Sequence, residues 1–487
     1  MKKLFSFFIC TALLASIGCS QTQNPLYEFR GVWVASVVNC DWPSTKTLTT
    51  EEQKAEFIKL ADLHQRNGMN ALIVQVRPAG DALYPSKYEP WSEYLTGKQG
   101  SPPNPYYDPL QFMIDETHKR GMEFHAWLNP YRAVFSNKES SVATTHLSKI
   151  HPEWFLNYDG KKFFNPALQE VRTHFINIIN DLIERYAIDG IHIDDYFYPY
   201  PDAKGTDFPD WKYYKMYGNG LSKADWRRSN CDSIIKQVWM SINAQPRRVK
   251  FGISPFGVWR NINKDAKGSN TKAGVTNYDD LYADILFWLK KGWMDYCVPQ
   301  LYWERGHKLC DYDTLLAWWN KYTYGRHLYI GQTPSRTGNM KGWKNANELA
   351  MEIKNLRKYT TTQGSVFFSS SNFNKNPNGF NDSLQQNYYS TPAILPPMPW
   401  IDNEKPSTPI VTEKSDRSFG ITYKGNKRIK GYALFTGLNK EKAVIIKIIL
   451  KNNTDFNLAD LVNDLFTKVF IASISVNNNL SEIIEVK

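Results

Sequence analysis

Two adjacent aspartates end an apolar segment near the middle of the chain. Residues 189–195 read Asp-Gly-Ile-His-Ile-Asp-Asp, and aromatic residues follow at once. Carboxylates at the end of a hydrophobic strand are costly to bury unless they are paired, bind a metal or act in catalysis. Side chains alternate along a strand, so His192 and Asp194 are expected to face the interior, with Asp195 on the other face or at the rim. The segment is the first candidate for an active site.

Cleavage of a glycosidic bond is one reaction that such carboxylates perform. One carboxyl group protonates the leaving oxygen, and the other attacks or stabilises the oxocarbenium-like carbon. Asp194 is predicted to be the nucleophile or charge stabiliser. Asp195 and Glu304 are the leading candidates for the proton donor, with Asp81 behind them. His192 is predicted to orient its neighbours by hydrogen bonding.

Two other interpretations of the aspartate pair stay open. The pair is also typical of a structural network with Arg77 or Arg132. Alternatively, Asp194 and Asp195 with His192 would suit a divalent ion, as in a carbohydrate deacetylase or a phosphoesterase. A single strand supplies few ligands, and no Cys pair has zinc-ligand spacing, so the sequence predicts no metal and no other cofactor.

Eight apolar segments alternate with amphipathic helices across residues 29–390. The predicted strands are residues 31–36, 71–76, 123–128, 190–194, 250–254, 294–300, 327–331 and 365–369. The segments from helix to strand are short, whereas those from strand to helix are long, as in residues 77–107, 129–165 and 196–221. Eight βα units with this asymmetry predict an α/β fold, a (β/α)8 TIM barrel with its function at the carboxyl face. A doubly wound open sheet is the alternative, but no GxGxxG turn or Walker loop is present.

Polar and aromatic residues cluster where the predicted strands end. The candidate substrate-binding residues are Gln75, Arg77, Asp81, Trp127, Asn129, Arg132, His192, Tyr196, Gln300, Tyr302 and Trp303. The carboxyl ends of parallel strands meet at one face of a barrel, which predicts a single pocket of hydrogen-bonding groups and aromatic rings.

Composition narrows the class of partner. Of the 487 residues, 14% are aromatic, and such rings suit sugar faces. The formal charge of +11 indicates an anionic partner, such as a cell-wall polymer. Basic residues are dispersed and no RNA-binding signature appears, so nucleic acid is not expected.

The N-terminus is typical of export. Lys2 and Lys3 precede an apolar run that is too short for a membrane span, and residues 1–18 are predicted to be a lipoprotein signal peptide. Cys19 would then be the lipidated first residue of the mature protein, with residues 19–28 as a tether. Ordinary signal cleavage before an incidental cysteine is the alternative. The predicted location is the cell envelope, where Cys40, Cys231, Cys297 and Cys310 leave disulfide pairing open.

The C-terminal part lacks the alternation of strands and helices seen in residues 29–390. Residues 391–404 are rich in proline and are predicted to form a semi-rigid linker. Residues 405–487 contain short strand-like runs separated by turn residues, which predicts a small β-sandwich of fibronectin type III style. Its expected role is spacing or docking.

Several motifs together resemble the bacterial glycosyl-hydrolase-like family 10. They are residues 29–35, residues 39–43, residues 75–78, residues 189–196 and residues 298–303. The resemblance implies an exported, often lipid-anchored TIM-barrel glycoside hydrolase. It also points to a polysaccharide of the bacterial cell wall, particularly peptidoglycan strands stripped of their peptides. The pattern at residues 189–194 is also similar to the fourth strand of the α-amylase clan, which would make Asp194 the nucleophile. That clan has its acid after the fifth strand, where this chain has no carboxylate.

Overall fold

The computed structural model describes residues 24–415, 417–461 and 467–486. The predicted signal peptide and Cys19 lie outside the described residues, as does half of the tether, residues 19–23. Within the described part of the chain, no helix has the length and apolarity needed to cross a membrane.

Eight parallel strands form a closed barrel, so the predicted TIM barrel is confirmed and the open sheet is wrong. In chain order the barrel strands are Phe29–Val34, Ala71–Arg77, Glu123–Leu128, Gly190–Ile193, Lys250–Ile253, Tyr296–Cys297, His327–Gln332 and Thr362–Phe367. The sixth strand is shorter than residues 294–300, the predicted span, and Pro299 within that span has no backbone N–H to donate.

Helices cover the outside of the barrel. The α-helices that follow the first seven strands are Thr50–Arg66, Pro109–Lys119, Gln169–Arg185, Lys223–Ala244, Ile285–Lys291, Tyr312–Lys321 and Glu348–Leu356. The eighth strand leads into the short α-helix Phe380–Ser383, which continues as one π-helical turn, Leu384–Tyr388. Shorter helices lie in the loops at Glu93–Thr96, Leu147–Ile150 and Trp211–Tyr217.

The long loop after the third strand contains a small antiparallel sheet that the sequence pattern did not indicate. Its strands are Arg132–Val134, Phe155–Tyr158 and Lys161–Phe164, with the last of them in the centre. The sheet begins only four residues after the third barrel strand ends. It therefore fixes the start of a loop that carries Arg132 to the carboxyl face.

The interior of the barrel is filled with large rings. Phe29 stacks on both Tyr296 and Tyr329, with the Phe29 and Tyr329 ring centroids 4.1 Å apart, and the two tyrosine rings contact each other at a tilt. Gly252 makes room for this packing, because a Cβ atom at that position would overlap the ring of Tyr296. The fifth strand therefore carries no side chain where the sixth strand inserts its largest one.

The segment predicted as a linker closes the amino end of the barrel. Leu395 and Met398 are buried in the same cluster as Phe29 and Tyr296. Trp400 donates a hydrogen bond from Nε1 to Asp295 at 2.9 Å. The proline-rich segment is therefore packed against the barrel in addition to connecting two domains.

The C-terminal domain consists of two sheets around a shared core. One sheet contains Ile410–Ser415, Ser418–Thr422 and Asp455–Asn457, and the other contains Ile429–Gly437, Val444–Leu450, Lys468–Ser475 and Ile484–Glu485. Phe419 and Phe456 of the first sheet share a buried cluster with Leu434 and Ile471 of the second. The domain contacts the amino end of the barrel, where Asn478 donates a hydrogen bond to Glu123 at 3.2 Å.

Candidate active site

A cavity of about 350 Å³ opens at the carboxyl ends of the barrel strands. It contains Asp194 and Asp195, and in the described part of the chain no other carboxylate lines it. Its lining residues are Trp33, Ala35, Val37, Cys40, Gln75, Trp127, Arg132, Asp194, Asp195, Tyr196, Tyr200, Ser254, Phe256, Gln300, Tyr302, Trp303, Arg336 and Phe368. The cavity therefore gathers most of the predicted site residues around the two aspartates.

Asp194 is held by three donors from the third and fourth strands. Trp127 donates from Nε1 to Oδ2 at 3.0 Å, and Asn129 donates from Nδ2 to both carboxylate oxygens at 3.2 Å. The backbone N–H of Tyr196 donates to Oδ1 at 3.3 Å. Burial raises the pKa of Asp194 above its ordinary value, although the positive charge of Arg132 and these hydrogen bonds oppose the shift. Hydrogen bonds to the charged form favour the carboxylate.

Asp195 has a different environment although it is the next residue. It accepts a hydrogen bond from the hydroxyl of Tyr200. Burial and the neighbouring charge of Asp194 raise the pKa of Asp195 to about 7. Asp194 is therefore surrounded by hydrogen-bond donors, whereas Asp195 has a pKa near neutrality. This difference is typical of two carboxyl groups that act as an acid and base pair.

His192 lies beneath the cavity, in the barrel interior. Its Nε2 accepts a hydrogen bond from Trp33 Nε1 at 3.1 Å, and its Nδ1 faces the hydroxyl of Tyr296 at 3.2 Å. The indole of Trp33 only donates, so the proton of the neutral imidazole is assigned to Nδ1, which donates to Tyr296. Burial holds the pKa of His192 well below its ordinary value. The residue is therefore neutral, and it supports the cavity floor through Trp33.

Arg132 brings a positive charge to the mouth of the cavity. Its guanidinium carbon lies 4.4 Å from the ring centroid of Tyr196, and its Nη1 donates to the backbone oxygen of Pro78 at 3.3 Å. Asn129 fixes the turn that carries it, because Asn129 Oδ1 accepts the backbone N–H of Arg132 at 2.7 Å. Asn129 thus positions both the carboxylate of Asp194 and the backbone that carries the guanidinium of Arg132.

Two amide side chains in the lining have a defined orientation. Gln75 Oε1 accepts the backbone N–H groups of Ser36 at 3.2 Å and Val37 at 3.0 Å. These two donors fix which end of the amide is oxygen, and the Nε2 of Gln75 has no partner among the described residues. Gln300 donates from Nε2 to the backbone oxygen of Ser254 at 3.0 Å. Gln75 therefore brings an unused donor to the cavity wall.

Aromatic rings form much of the cavity wall. Trp127, Tyr302 and Trp303 were predicted to lie there, and the structure places all three in the lining. Trp303 packs edge to face on Phe256 with ring centroids 5.5 Å apart. Tyr302 stacks on Phe368 at 6.2 Å.

Several lining residues were missed by the sequence prediction. They are Trp33, Ala35, Val37, Cys40, Tyr200, Ser254, Phe256, Arg336 and Phe368. Alternation along the first strand, from Phe29 through Gly31 to Trp33, was a signal that could have found one of them. Tyr200 had no such signal, because it lies on an irregular loop.

Five predicted site residues lie outside the cavity lining: Asn129 and His192, which hydrogen-bond to lining residues, and Arg77, Asp81 and Glu304. Arg77 is fully buried and donates to Glu89 from Nε at 2.7 Å and from Nη2 at 2.5 Å. Asp81 accepts from the Ala79 backbone N–H and from Gln99 Nε2, both at 3.1 Å. Arg77 and Asp81 therefore brace the loop after the second strand.

Glu304 is also directed away from the two aspartates. Its half-buried side chain packs against Gly342, in the loop after the seventh strand, where a Cβ atom would overlap the Glu304 carboxylate. The structure thus does not bring Glu304 to the cavity, and Asp195 is the proton-donor candidate that it does bring there.

A metal site was the alternative interpretation of the aspartate pair, and disulfide pairing was left open by the sequence. Across the described residues, no group of three or more His, Cys, Asp and Glu side chains is arranged to hold a metal ion. Cys40, Cys231, Cys297 and Cys310 are all free thiols.

Comparison with known proteins shows which family the chain is similar to. The family model described as Glycosyl hydrolase-like 10 matches residues 28–346. The chain is 43% identical over 479 residues to "Glycosyl hydrolase YngK" of Bacillus subtilis (strain 168), which covers 95% of this chain and 93% of that relative. It is 40% identical over 330 residues to "Glycosyl hydrolase DigH" of Escherichia coli (strain K12), with 64% of this chain and 74% of that relative covered.

A solved structure of "Alpha-L-fucosidase isoenzyme 2 from Paenibacillus thiaminolyticus" is similar at a TM-score of 0.47 and 12% identity. The match covers 74% of this chain and 49% of that one, and likeness at this level says nothing about function. The family model and the two relatives confirm the resemblance seen in the sequence motifs. The chain belongs to the glycosyl hydrolase-like 10 family.

Proposed function

We propose that this protein is a glycoside hydrolase in which Asp195 protonates the leaving oxygen and Asp194 carries the negative charge beside the anomeric carbon. One observation carries the proposal: the two carboxyl groups share one aromatic cavity, and the pKa of Asp195 is raised to about 7. A carboxyl group with that pKa holds its proton in half of the molecules near neutral pH. A general acid is most effective when its pKa lies near the working pH.

The division of roles follows from the hydrogen bonds of each carboxyl group. Asp194 accepts from Trp127, Asn129 and the backbone of Tyr196 and lies near the positive charge of Arg132, and these contacts favour its ionised form against the burial that raises its pKa. Asp195 faces that negative charge, which opposes its own ionisation. Asp194 therefore stabilises the positive charge that develops on the sugar, while Asp195 keeps the proton to be transferred.

The lining favours a carbohydrate substrate. Apolar sugar faces pack on rings such as Tyr302 and Trp303, while Gln75 supplies a donor for a hydroxyl or carbonyl oxygen. We place the substrate among bacterial cell-wall polysaccharides, with peptide-stripped peptidoglycan strands first. The family resemblance of the sequence motifs supports this choice, and the formal charge of +11 suits a polyanionic cell wall.

The location and the C-terminal domain belong to the same proposal. The predicted signal peptide and Cys19 support a lipid anchor at the cell envelope. The two sheets, of three and four strands around one core, support a fibronectin type III-like fold. Because this domain contacts the end of the barrel opposite the cavity, we propose that it spaces or docks the enzyme on the wall.

The test is product release from defined cell-wall substrates. Purified protein is incubated with intact and with peptide-stripped peptidoglycan, and soluble products and new reducing ends are followed by mass spectrometry and a reducing-sugar assay. Asp195→Asn and Asp194→Asn are each expected to lower the rate by about 10²–10⁴-fold, the usual contribution of a general acid or base. Glu170→Gln, an exposed carboxylate on an outer helix, is the matched control.

Each other outcome has a definite meaning. Unchanged release by Asp194→Asn contradicts the site assignment. Release of acetate without new reducing ends, abolished by a chelator, indicates a metal-dependent deacetylase. Binding to the strands without any product indicates a catalytically silent glycan-binding protein.

A further inference from the structure

The two carboxyl groups in the cavity come from neighbouring positions of one chain segment. A retaining glycosidase with its own nucleophile uses two carboxyl groups that flank the scissile bond, one to protonate the leaving oxygen and the other to attack the sugar. Among the described residues that line the cavity, Asp194 and Asp195 are the only carboxylates. If Asp195 is the acid of a retaining enzyme, the nucleophile is therefore either Asp194 or a group on the substrate, whereas in an inverting enzyme Asp194 would activate water.

The hydrogen bonds of Asp194 argue against a nucleophilic role. A carboxylate has about four acceptor sites, and Asp194 already accepts from Trp127, Asn129 and the backbone of Tyr196, with both oxygens engaged. An ester formed at either oxygen would be neutral and would weaken those bonds, because hydrogen bonds to a charged group are stronger than those to a neutral one. Nδ2 of Asn129 lies 3.2 Å from both oxygens, so a further N–H can take the place of one of its two contacts while all three donors stay bound.

We propose that the nucleophile is the 2-acetamido group of the substrate itself and that Asp194 is the residue that positions it. This inference rests on the proposed glycoside hydrolase function and narrows its substrate to a glycan with a 2-acetamido sugar on the anomeric side of the cleaved bond. An N–H on the substrate would bind the carboxylate oxygen that Asn129 releases, while Asn129 keeps its contact with the other oxygen. The cavity, at about 350 Å³, lies near the lower limit for ligand pockets of about 300–1,000 Å³, so it suits a single sugar ring with its substituent.

The reaction then proceeds in two balanced steps. The acetamido carbonyl oxygen forms a bond to the anomeric carbon while the bond from that carbon to the leaving oxygen breaks, and the leaving oxygen takes the bonding electron pair and the proton of Asp195. Asp194 accepts the amide N–H and stabilises the positive charge of the oxazolinium ring. Water next adds to the anomeric carbon and gives its proton to the Asp195 carboxylate. The carbon–oxygen bond of the ring breaks, the acetamide is restored, and the configuration at the anomeric carbon is retained.

The test changes the nucleophile and leaves the protein untouched. Peptide-free glycan strands are N-deacetylated and then re-acylated with either acetyl or trifluoroacetyl groups, because fluorine withdraws electrons from the carbonyl oxygen. The inference predicts that kcat/KM falls by at least about 10³-fold with the trifluoroacetyl strands, a part of the effective molarity of about 10⁵–10⁸ M that an intramolecular nucleophile provides.

A binding experiment separates nucleophilic strength from simple recognition. A fused thiazoline of the amino sugar resembles the ring intermediate. It is expected to bind the unmodified enzyme at least about 10²-fold more tightly than the parent acetamido sugar, as transition-state analogues do. In Asp194→Asn most of this difference in affinity between the thiazoline and the acetamido sugar should be lost, whereas Glu170→Gln should keep it.

The failures of the two proposals are distinguishable. Cleavage of both acylated strands at similar rates, or a covalent sugar ester on Asp194 in the intact-mass spectrum, overturns the inference and leaves the hydrolase proposal standing. No cleavage of the acetylated strand by the unmodified protein overturns both.

Discussion

The hydroxyl of Tyr200 controls the acidity of the proposed proton donor. It donates a hydrogen bond to Asp195, and this bond favours the ionised carboxylate and so lowers the pKa of Asp195. A hydrogen bond to a charged group contributes about 1.5–3 kcal/mol, and one pKa unit corresponds to about 1.4 kcal/mol. Tyr200→Phe is therefore expected to raise the pKa of Asp195 by about 1 unit, and by at most about 2. Water entering the vacated space would restore part of the lost bond.

The sign of the effect on activity follows from the role of Asp195. An acid must carry its proton, so kcat/KM should fall as the pH rises through the pKa of Asp195, which is about 7. In Tyr200→Phe this alkaline limb should move to higher pH, and the variant should retain a larger fraction of its own maximum rate at pH values above 7. Burial and Asp195 raise the pKa of Tyr200 itself, so its hydroxyl stays protonated throughout the assay.

The assay is the pH profile of kcat/KM for release of products from peptide-stripped glycan strands. Tyr213→Phe is the matched control, since this tyrosine lies on the same loop but donates to the backbone oxygen of Glu153 at 3.1 Å. An alkaline limb that stays in place, or moves to lower pH, in Tyr200→Phe would refute the assignment of Asp195 as the acid.

Three further changes test other parts of the structure. Glu304→Gln is expected to lower kcat/KM by less than about 3-fold, since its carboxylate packs against Gly342; a loss of about 10²-fold or more, typical of a general acid, would make Glu304 the proton donor. Glu89→Ala should lower the free energy of unfolding in urea by about 3–5 kcal/mol, because it leaves Arg77 charged and buried without its partner; a smaller loss would show that water reaches the guanidinium. Dialysis against a chelator should leave the rate of hydrolysis unchanged, because the groups around Asp194 are N–H donors, which cannot ligate a cation; a loss restored by a divalent metal would contradict this.

Much of the barrel could be predicted from the sequence, because its strands are apolar runs and its helices carry local start signals. Asp108 caps the second long helix, with Pro109 at its first position, which is a start signal that can be read from the sequence. Thr50 and Gln53 have the spacing of a capping box in the sequence, but the capping box of the first helix lies one residue earlier, at Thr49 and Glu52. A single shift of this kind is typical of helix ends, where several polar residues in a row can cap.

The parts that were missed depend on contacts between distant segments. The small sheet in the loop after the third strand forms from short polar and aromatic runs that have no clear alternation. Arg77 was assigned to the substrate from its place at a strand end, yet its guanidinium is held by Glu89, 12 residues away. Position at the carboxyl face indicates that a residue is near the site, but the partner of a buried charge decides whether it enters the cavity.

The aspartate pair shows where strand alternation stops being informative. The fourth strand ends at Ile193, so alternation applies to His192 and no longer fixes the direction of Asp195. The chain turns after the strand, and the hydroxyl of Tyr200 and the side chain of Asn129 then hold the two carboxyl groups in the same cavity. Burial raises the pKa of both residues, but three donors and Arg132 oppose the rise for Asp194, whereas the charge of Asp194 adds to it for Asp195, so two identical adjacent residues have different environments. The chemistry of the pair therefore depends on the loops after the third and fourth strands as much as on the strand that carries the motif.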